Sequence, residues 1–453
     1  MNNRGVNPQL SRRRFLQAAG ALGLVGLGAS TLSACGAGKQ NPDSTATAKG
    51  ASITATAATA TSATAITRVF GDGLRVTGVA LEYQQDLAAQ IISSERFSIA
   101  DRTVTKVYTN SSPAEASTPT NGKYIIIELA EDDAASKVIA TAPDGQKFAQ
   151  PILVTVNDST DNSSINTTKR ANTTIDDFAQ LNYVDTATNL TITHSLYTPQ
   201  AAKAGTKLPL VIFLADASCL SADPSIVLSQ GLGAVSFAEE TNQKSHPCYV
   251  LAPHFAQVIA DDSYQITDSI RALLGLIDNL IANSNIDTSQ IYLTGQAMGG
   301  MGCIALNLAR PNFFAASYMV STHWDANALE PIATTPLWFT ASAGDPLSAD
   351  SINAIGSFIS AHGGTSATVT SNHDSYKEDL QNLAGQKATT SAFFFAANTL
   401  PSLSEAGVTE HTAAWITGYD LPVFRDWLFS QKLTTSGTTT ATSSTEISTA
   451  NTQ

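Results

Sequence analysis

The sequence predicts an α/β domain with a largely parallel sheet, preceded by an all-β sandwich. Three observations carry this. From about Ile175 onward, six apolar runs lack the alternation of a half-exposed strand: Leu208 to Ala215, Cys248 to Pro253, Ile291 to Gly295, Phe314 to Val320, Pro336 to Ser342 and Ser391 to Ala397. Strands covered on both faces read this way. Between these runs lie helical patterns, such as Ser269 to Asn283 and Ser351 to Gly364, the second stopped by Gly363 and Gly364. Upstream, from Ile66 to Asn157, short segments rich in β-branched and aromatic residues are broken by Gly, Asn or Asp at close intervals, as in an antiparallel sandwich.

The elements follow in order. Residues 1–34 read as an export signal: Arg12 and Arg13 precede Phe15 and Leu16, and an apolar run continues from Ala18 to Leu32. The segment resembles a twin-arginine signal ending in a lipobox, "LSAC", which implies lipidation at Cys35 and anchoring to a membrane outside the cytoplasm. Residues 35–65 are almost entirely Ala, Thr, Ser, Gly and Lys, a composition too poor in large apolar groups to offset its ordering entropy, and read as a stalk. The sandwich (66–157) is followed by a polar stretch, 158–174, expected as a linker, then by the α/β domain (175–432) and a Thr/Ser-rich tail, 433–453.

A formal net charge of −13 without a basic stripe opposes phosphate backbones and excludes nucleic acid as an expected partner. Cys219, Cys248 and Cys303 show no metal-ligand spacing and are expected as buried apolar residues. Neither metal nor cofactor is expected.

Chemistry concentrates at "IYLTGQAMGGMG", Ile291 to Gly302. A strand ends there, a helix begins, and glycines flank a central pair, which is the outline of a nucleophile elbow. The apex holds Ala297 where an attacking serine would stand. Downstream, Asp345 follows the strand "PLWFTAS", and His411 lies in "TEHTAAW", expected as a polar loop before the terminal helix. Nucleophile, acid and histidine in that order match the α/β-hydrolase arrangement.

With these residues in place, the segments "LSQGLGAVSFAEETNQKSHPCYVLAPHF", "MGGMGCIALNLARPNFFAASYMVSTHWD" and "EHTAAWITGYDLPVFRDWLFSQ" resemble secreted bacterial α/β hydrolases of the feruloyl-esterase or polyhydroxybutyrate-depolymerase-like group. The resemblance runs from about Ile66 to Gln431. It implies an immunoglobulin-like domain over the sandwich, carboxylester hydrolysis, a nucleophile at position 297, Asp345 as acid and His411 as base. The oxyanion donors would come from the backbone of Met298 and of the turn at Asp216 and Ala217.

Two departures stand out. Ala297 has no hydroxyl to deprotonate, so no acyl-enzyme can form on it. In "FLADAS", Ala215 replaces the histidine usual before the oxyanion turn, and Ser218 a common glycine. Cys219 is a poor substitute nucleophile because it does not occupy the apex. Trp324, in "STHWD", is either core or an indole at the cleft rim able to stack on a substrate ring. The expectation is an impaired esterase-like protein that binds an ester, an aromatic acid or a carbohydrate. Two alternatives are a hydrolase in which His411 and Asp345 activate water directly, and a surface display or adhesion protein.

Overall fold

A computed structural model describes residues 59–372 and 375–433. The signal segment, Cys35, residues 35–58 and the tail from residue 434 lie outside the described residues. The contacts of the chain divide it into two units. One holds the chain up to Ile66 with Gly78–Leu129 and Leu153–Ala171; the other holds Thr67–Thr77, Ala130–Ile152 and everything from Asn172 onward.

The strands of the N-terminal region are β1 (Ser62–Phe70), β2 (Gly73–Leu87), β3 (Ile91–Ile92), β4 (Phe97–Ser98), β5 (Val104–Asn110), β6 (Gly122–Leu129), β7 (Ile139–Thr141), β8 (Lys147–Ala149), β9 (Thr155–Asp158) and β10 (Ser163–Asn172). Eight of them form one curled sheet in the order β3, β5, β6, β2, β1, β10, β9, β4. Its central strands pair Val79, Ala80 and Leu81 with Ile127, Ile126 and Ile125. Ile125, Ile126 and Ile127 are all fully buried, so both faces of β6 are covered at that point. Arg96 clasps Asp158 through two nitrogens, at 3.0 and 2.7 Å, which ties the start of β4 to the end of β9.

Three expectations are corrected here. The stalk does not reach residue 65, because β1 opens at Ser62. The supposed linker 158–174 is largely strand: β10 pairs antiparallel with β9, Ser163 opposite Asp158. Its side chains are mostly polar and exposed, and the backbone ladder rather than apolar burial places it in the sheet. Finally, 66–157 is not one block. Residues 130–152, with the β7 and β8 hairpin, belong to the second unit.

That second unit is built on β11 (Phe178–Val184), β12 (Thr191–Tyr197), β13 (Leu208–Leu214), β14 (Tyr249–His254), β15 (Ile286–Gln296), β16 (Ala316–Val320), β17 (Leu337–Ser342), β18 (Ser366–Ser371) and β19 (Thr390–Phe395). The sheet order is β11, β12, β14, β13, β15, β16, β17, β19, β18. β11, β12 and β14 are joined antiparallel, and the rest run parallel. Leu210 to Leu214 and Leu337 to Ala341 show essentially no exposure, which is why their sequences lack a period of two. Helices Asp268–Asn283, Met298–Ala309 and Pro346–Ala361 add their apolar stripes to the same core. Each large apolar side chain buried there contributes roughly 1.5–3 kcal/mol before conformational entropy is subtracted.

Strand order reverses at β13, which has β14 on one side and β15 on the other. In open parallel sheets the crevice outside the carboxyl ends at such a reversal is where ligands bind.

Candidate active site

The candidate residues lie at the carboxyl ends of β13, β15, β16 and β17 and at the start of a later helix. β15 ends at Gln296, and Ala297 caps the following helix with φ 47° and ψ −117°. This is a left-handed, strained backbone for a residue with a Cβ, and such strain gathers at functional turns. Small neighbours permit the turn. A Cβ on Gly295 would lie 2.5 Å from the Gly299 backbone, one on Gly299 1.9 Å from the Leu214 carbonyl oxygen, and one on Gly300 2.6 Å from Thr322 Cβ.

Gly295 and Gly299 are thus close approaches of backbone to backbone, and Gly300 one of backbone to the Thr322 side chain. Gly299→Ala is expected to cost about 3 kcal/mol, read as a lowered denaturant midpoint. Gly385→Ala, at a site with nothing within 4 Å, is the neutral or slightly stabilising control.

Asp345 stands just past β17 and caps helix Pro346–Ala361, its carboxylate accepting the Ser348 N–H at 3.4 Å. Its other oxygen lies 2.7 Å from His411 Nδ1. Burial pushes the Asp345 carboxyl up, but the His411 and Ser348 hydrogen bonds more than offset this and hold it below the usual carboxylate range. Contact with Nδ1 fixes the imidazole so that Nε2 points away from the acid. Among the described residues Nε2 of His411 has no hydrogen-bond partner.

His411 is not in a loop. It sits in the first turn of helix Glu410–Gly418, opened by a capping box between Thr409 and Thr412. The short Thr409 side chain can satisfy the first free N–H groups of the helix, and so a polar stretch becomes helical.

Two residues of β16's carboxyl end link elbow and base. The Val320 carbonyl accepts the Ala297 N–H at 3.0 Å, and the Ser321 hydroxyl donates to the His411 carbonyl at 2.8 Å. Ser321 itself has φ 47°. Thr322 donates to the Ala297 carbonyl at 3.1 Å. Ala297 and His411 are therefore both anchored at the same strand end.

The oxyanion side is equally ordered. Met298 opens its helix, so its N–H has no acceptor within that helix. Asp216 caps the turn Ala217–Cys219 by accepting the Ser218 N–H at 3.0 Å, and it also accepts Gln296 Nε2 at 2.9 Å. Burial pushes the Asp216 carboxyl up, but the field of Lys147 and these donors outweigh it and keep the group a carboxylate. Ala215 is buried behind the turn.

Trp324 is corrected. It is buried in the main core, 6% exposed, with Tyr264 packed over it at 5.3 Å, and so presents no free face to a substrate. Cys219, Cys248 and Cys303 are free and buried. Burial pushes the Cys219 thiol far up, which leaves it protonated and unsuited to attack.

The sequence reading passed over His323, Trp415, Gln296 and Lys147. His323 lies 3.5 Å from Asp262, and burial pushes its imidazole down while it feels the charges of His411 and Asp345. Trp415 packs edge-on to His411 at 5.2 Å. The pair "HW" beside the aspartate in "STHWD" and the spacing of His411 to Trp415 were the available signals, one helical turn in the second case.

Residues 62–191 match the esterase Ig-like N-terminal domain family. A solved thermostable esterase is similar at 24% identity with a TM-score of 0.70, over 82% of this chain and 100% of its own. The poly(3-hydroxybutyrate) depolymerase LpqC of Bordetella parapertussis shares 14% identity at a TM-score of 0.33, over 53% of this chain and 86% of its own. A ferulic acid esterase shares 12% identity at a TM-score of 0.33, over 56% of this chain and 98% of its own. No curated protein matches the chain. The chain shares its fold with the solved thermostable esterase, with an immunoglobulin-like domain, matched over residues 62–191, before the α/β unit.

Proposed function

We propose that the chain is a membrane-tethered, extracytoplasmic member of the feruloyl-esterase-like carboxylesterase lineage. It binds an ester, an aromatic acid or a carbohydrate in its cleft without forming a serine-linked intermediate. One observation carries this reading: Ala297 holds the strained apex at φ 47° and ψ −117° while the His411 and Asp345 pair remains joined at 2.7 Å. On this reading, an acid and base pair is kept while the apex lacks an attacking oxygen. Backbone N–H groups of Met298 and of the turn at Asp216 and Ala217 suit a carbonyl or carboxylate oxygen. Tethering is proposed on "SRRRFLQ" and on Cys35 in "LSAC".

The test is a fluorophosphonate probe on the native protein. No covalent label is expected, whereas labelling at any serine of the site removes the reading. Tethering is checked separately by the mass of a lipid on Cys35.

A second reading has its own support. His411 Nε2 makes no hydrogen bond among the described residues, so it is free to take a proton from water attacking a bound ester. Comparison of native protein with His411→Ala on feruloyl and acetyl esters decides it, and equal rates exclude the water route.

A further inference from the structure

One wall of the cleft comes from a segment that the sequence order places far from it. The β7 and β8 hairpin, part of the second unit, carries Gln146 and Lys147 onto the oxyanion turn. Gln146 Nε2 donates to the Ala217 carbonyl at 3.0 Å. Lys147 Nζ donates to Gln230 Oε1 at 3.1 Å, and the same oxygen accepts Gln296 Nε2 at 3.1 Å. Gln296, the residue before the apex, passes the connection on to Asp216.

Beside this chain of amides lies a cavity of about 530 Å³, lined by Ile139, Lys147, Asp216, Ser218, Thr412 and Trp415 among others. The volume falls in the range of small-molecule sites. Trp415 joins it to the catalytic pair: His411 lies 5.2 Å from the indole and the Lys147 ammonium 5.8 Å from its ring centroid.

Charge accounting separates Lys147 from the other groups there. Lys137 is bound to Asp72 at 3.0 Å and to Glu405, and Asp72 is also held by Arg75 at 2.7 Å. Lys147 has no carboxylate within ion-pair distance among the described residues. Its field helps keep Asp216 ionised, yet the Asp216 oxygens already accept Ser218 N–H, Gln296 Nε2 and Cys219 Sγ. An ammonium has three donors, and only one is engaged, by Gln230. Two N–H groups and a positive charge remain at the cavity's wall.

We propose that this cavity receives the distal arm of the ester, and that Lys147 selects an arm ending in a carboxylate. The inference rests on the ester-cleft reading and adds the charge of the substrate to it. The walls supplied by Ile139 and Trp415 suit the methylenes between the two ends, and the carboxylate takes the two free N–H groups in charge-assisted hydrogen bonds.

Because Ala297 cannot be acylated, intact esters can be titrated into the native protein by calorimetry. Monomethyl adipate is compared with methyl hexanoate, and monomethyl suberate with methyl octanoate. At least one acid is expected to bind about tenfold tighter than its neutral partner, with the preference shrinking as salt is raised. Lys147→Met should abolish the preference, the two acids losing about tenfold more affinity than methyl hexanoate and methyl octanoate, and Lys147→Arg should retain part of it.

Equal weakening of acid and neutral esters by Lys147→Met would overturn the proposal and leave Lys147 only as the counter-charge of Asp216. A native preference for the neutral esters at both lengths would overturn it too. Failure of all four to bind, together with no hydrolysis by Ala297→Ser, removes the ester-cleft reading and this one with it. Thermal midpoints of both variants separate loss of folding from loss of selectivity.

Discussion

With serine at position 297, hydrolysis of a short 4-nitrophenyl ester is expected to rise at least a hundredfold over the native protein. Losing the nucleophile from an intact triad costs roughly 10⁶ in turnover, with about 10³ to 10⁴ over water left to binding and the oxyanion site. The gain is set below that full factor because Ala215 and Ser218 depart from the usual oxyanion side. The geometry otherwise favours recovery. The apex already has the strained backbone, so the new hydroxyl needs no refolding to be presented. His411 already has its Nδ1 committed to Asp345 and its Nε2 unpartnered among the described residues. Steady-state rates with an active-site titration check this, and an unchanged rate would mean that the turn no longer faces the base.

In that restored background, Asp345→Asn is expected to lower kcat by about 10⁴ with little change in KM. The amide can still meet His411 Nδ1, but it can do so as a donor, which favours the tautomer with its proton on the wrong nitrogen. Helix Pro346–Ala361 keeps a capping acceptor in asparagine, so the loss should appear in turnover far more than in the thermal midpoint. A drop of less than tenfold would show that Asp345 is a cap and little else.

The elbow was legible because its constraints are steric. Gly295 and Gly299 must be glycine where backbones pass within 2.5 Å of a would-be Cβ, and such demands print directly on sequence. The six apolar runs were legible for a related reason: strands buried on both faces cannot hide their composition. Asp345 as a helix cap was readable as well, since Pro346 at the first helical position follows it, although the helix was expected to begin only at Ser351.

What escaped notice carries little apolar signal. β18, "SATVTS", and β11, "FAQLNYV", are sheet-edge strands with largely exposed side chains, and β10 is mostly polar. All three are held by backbone ladders that any sequence can make. Trp324 was undecidable, because a large aromatic beside a strand end serves a core and a rim equally well. The β7 and β8 hairpin, two strands of three residues each, had no pattern long enough to read. Its membership in the second unit is a fact of long-range contact alone.

The chain passes from one unit to the other after Ile66, Thr77, Leu129, Ile152 and Ala171. A gene trimmed to begin at residue 175 would therefore discard Thr67–Thr77 and Ala130–Ile152, both of which belong to the second unit. These modules were not strung together like beads, and a second unit cut off at residue 175 would lose the Gln146 contact to the Ala217 carbonyl. Gln146 and Lys147, although early in the chain, travel with the second unit in any exchange of modules.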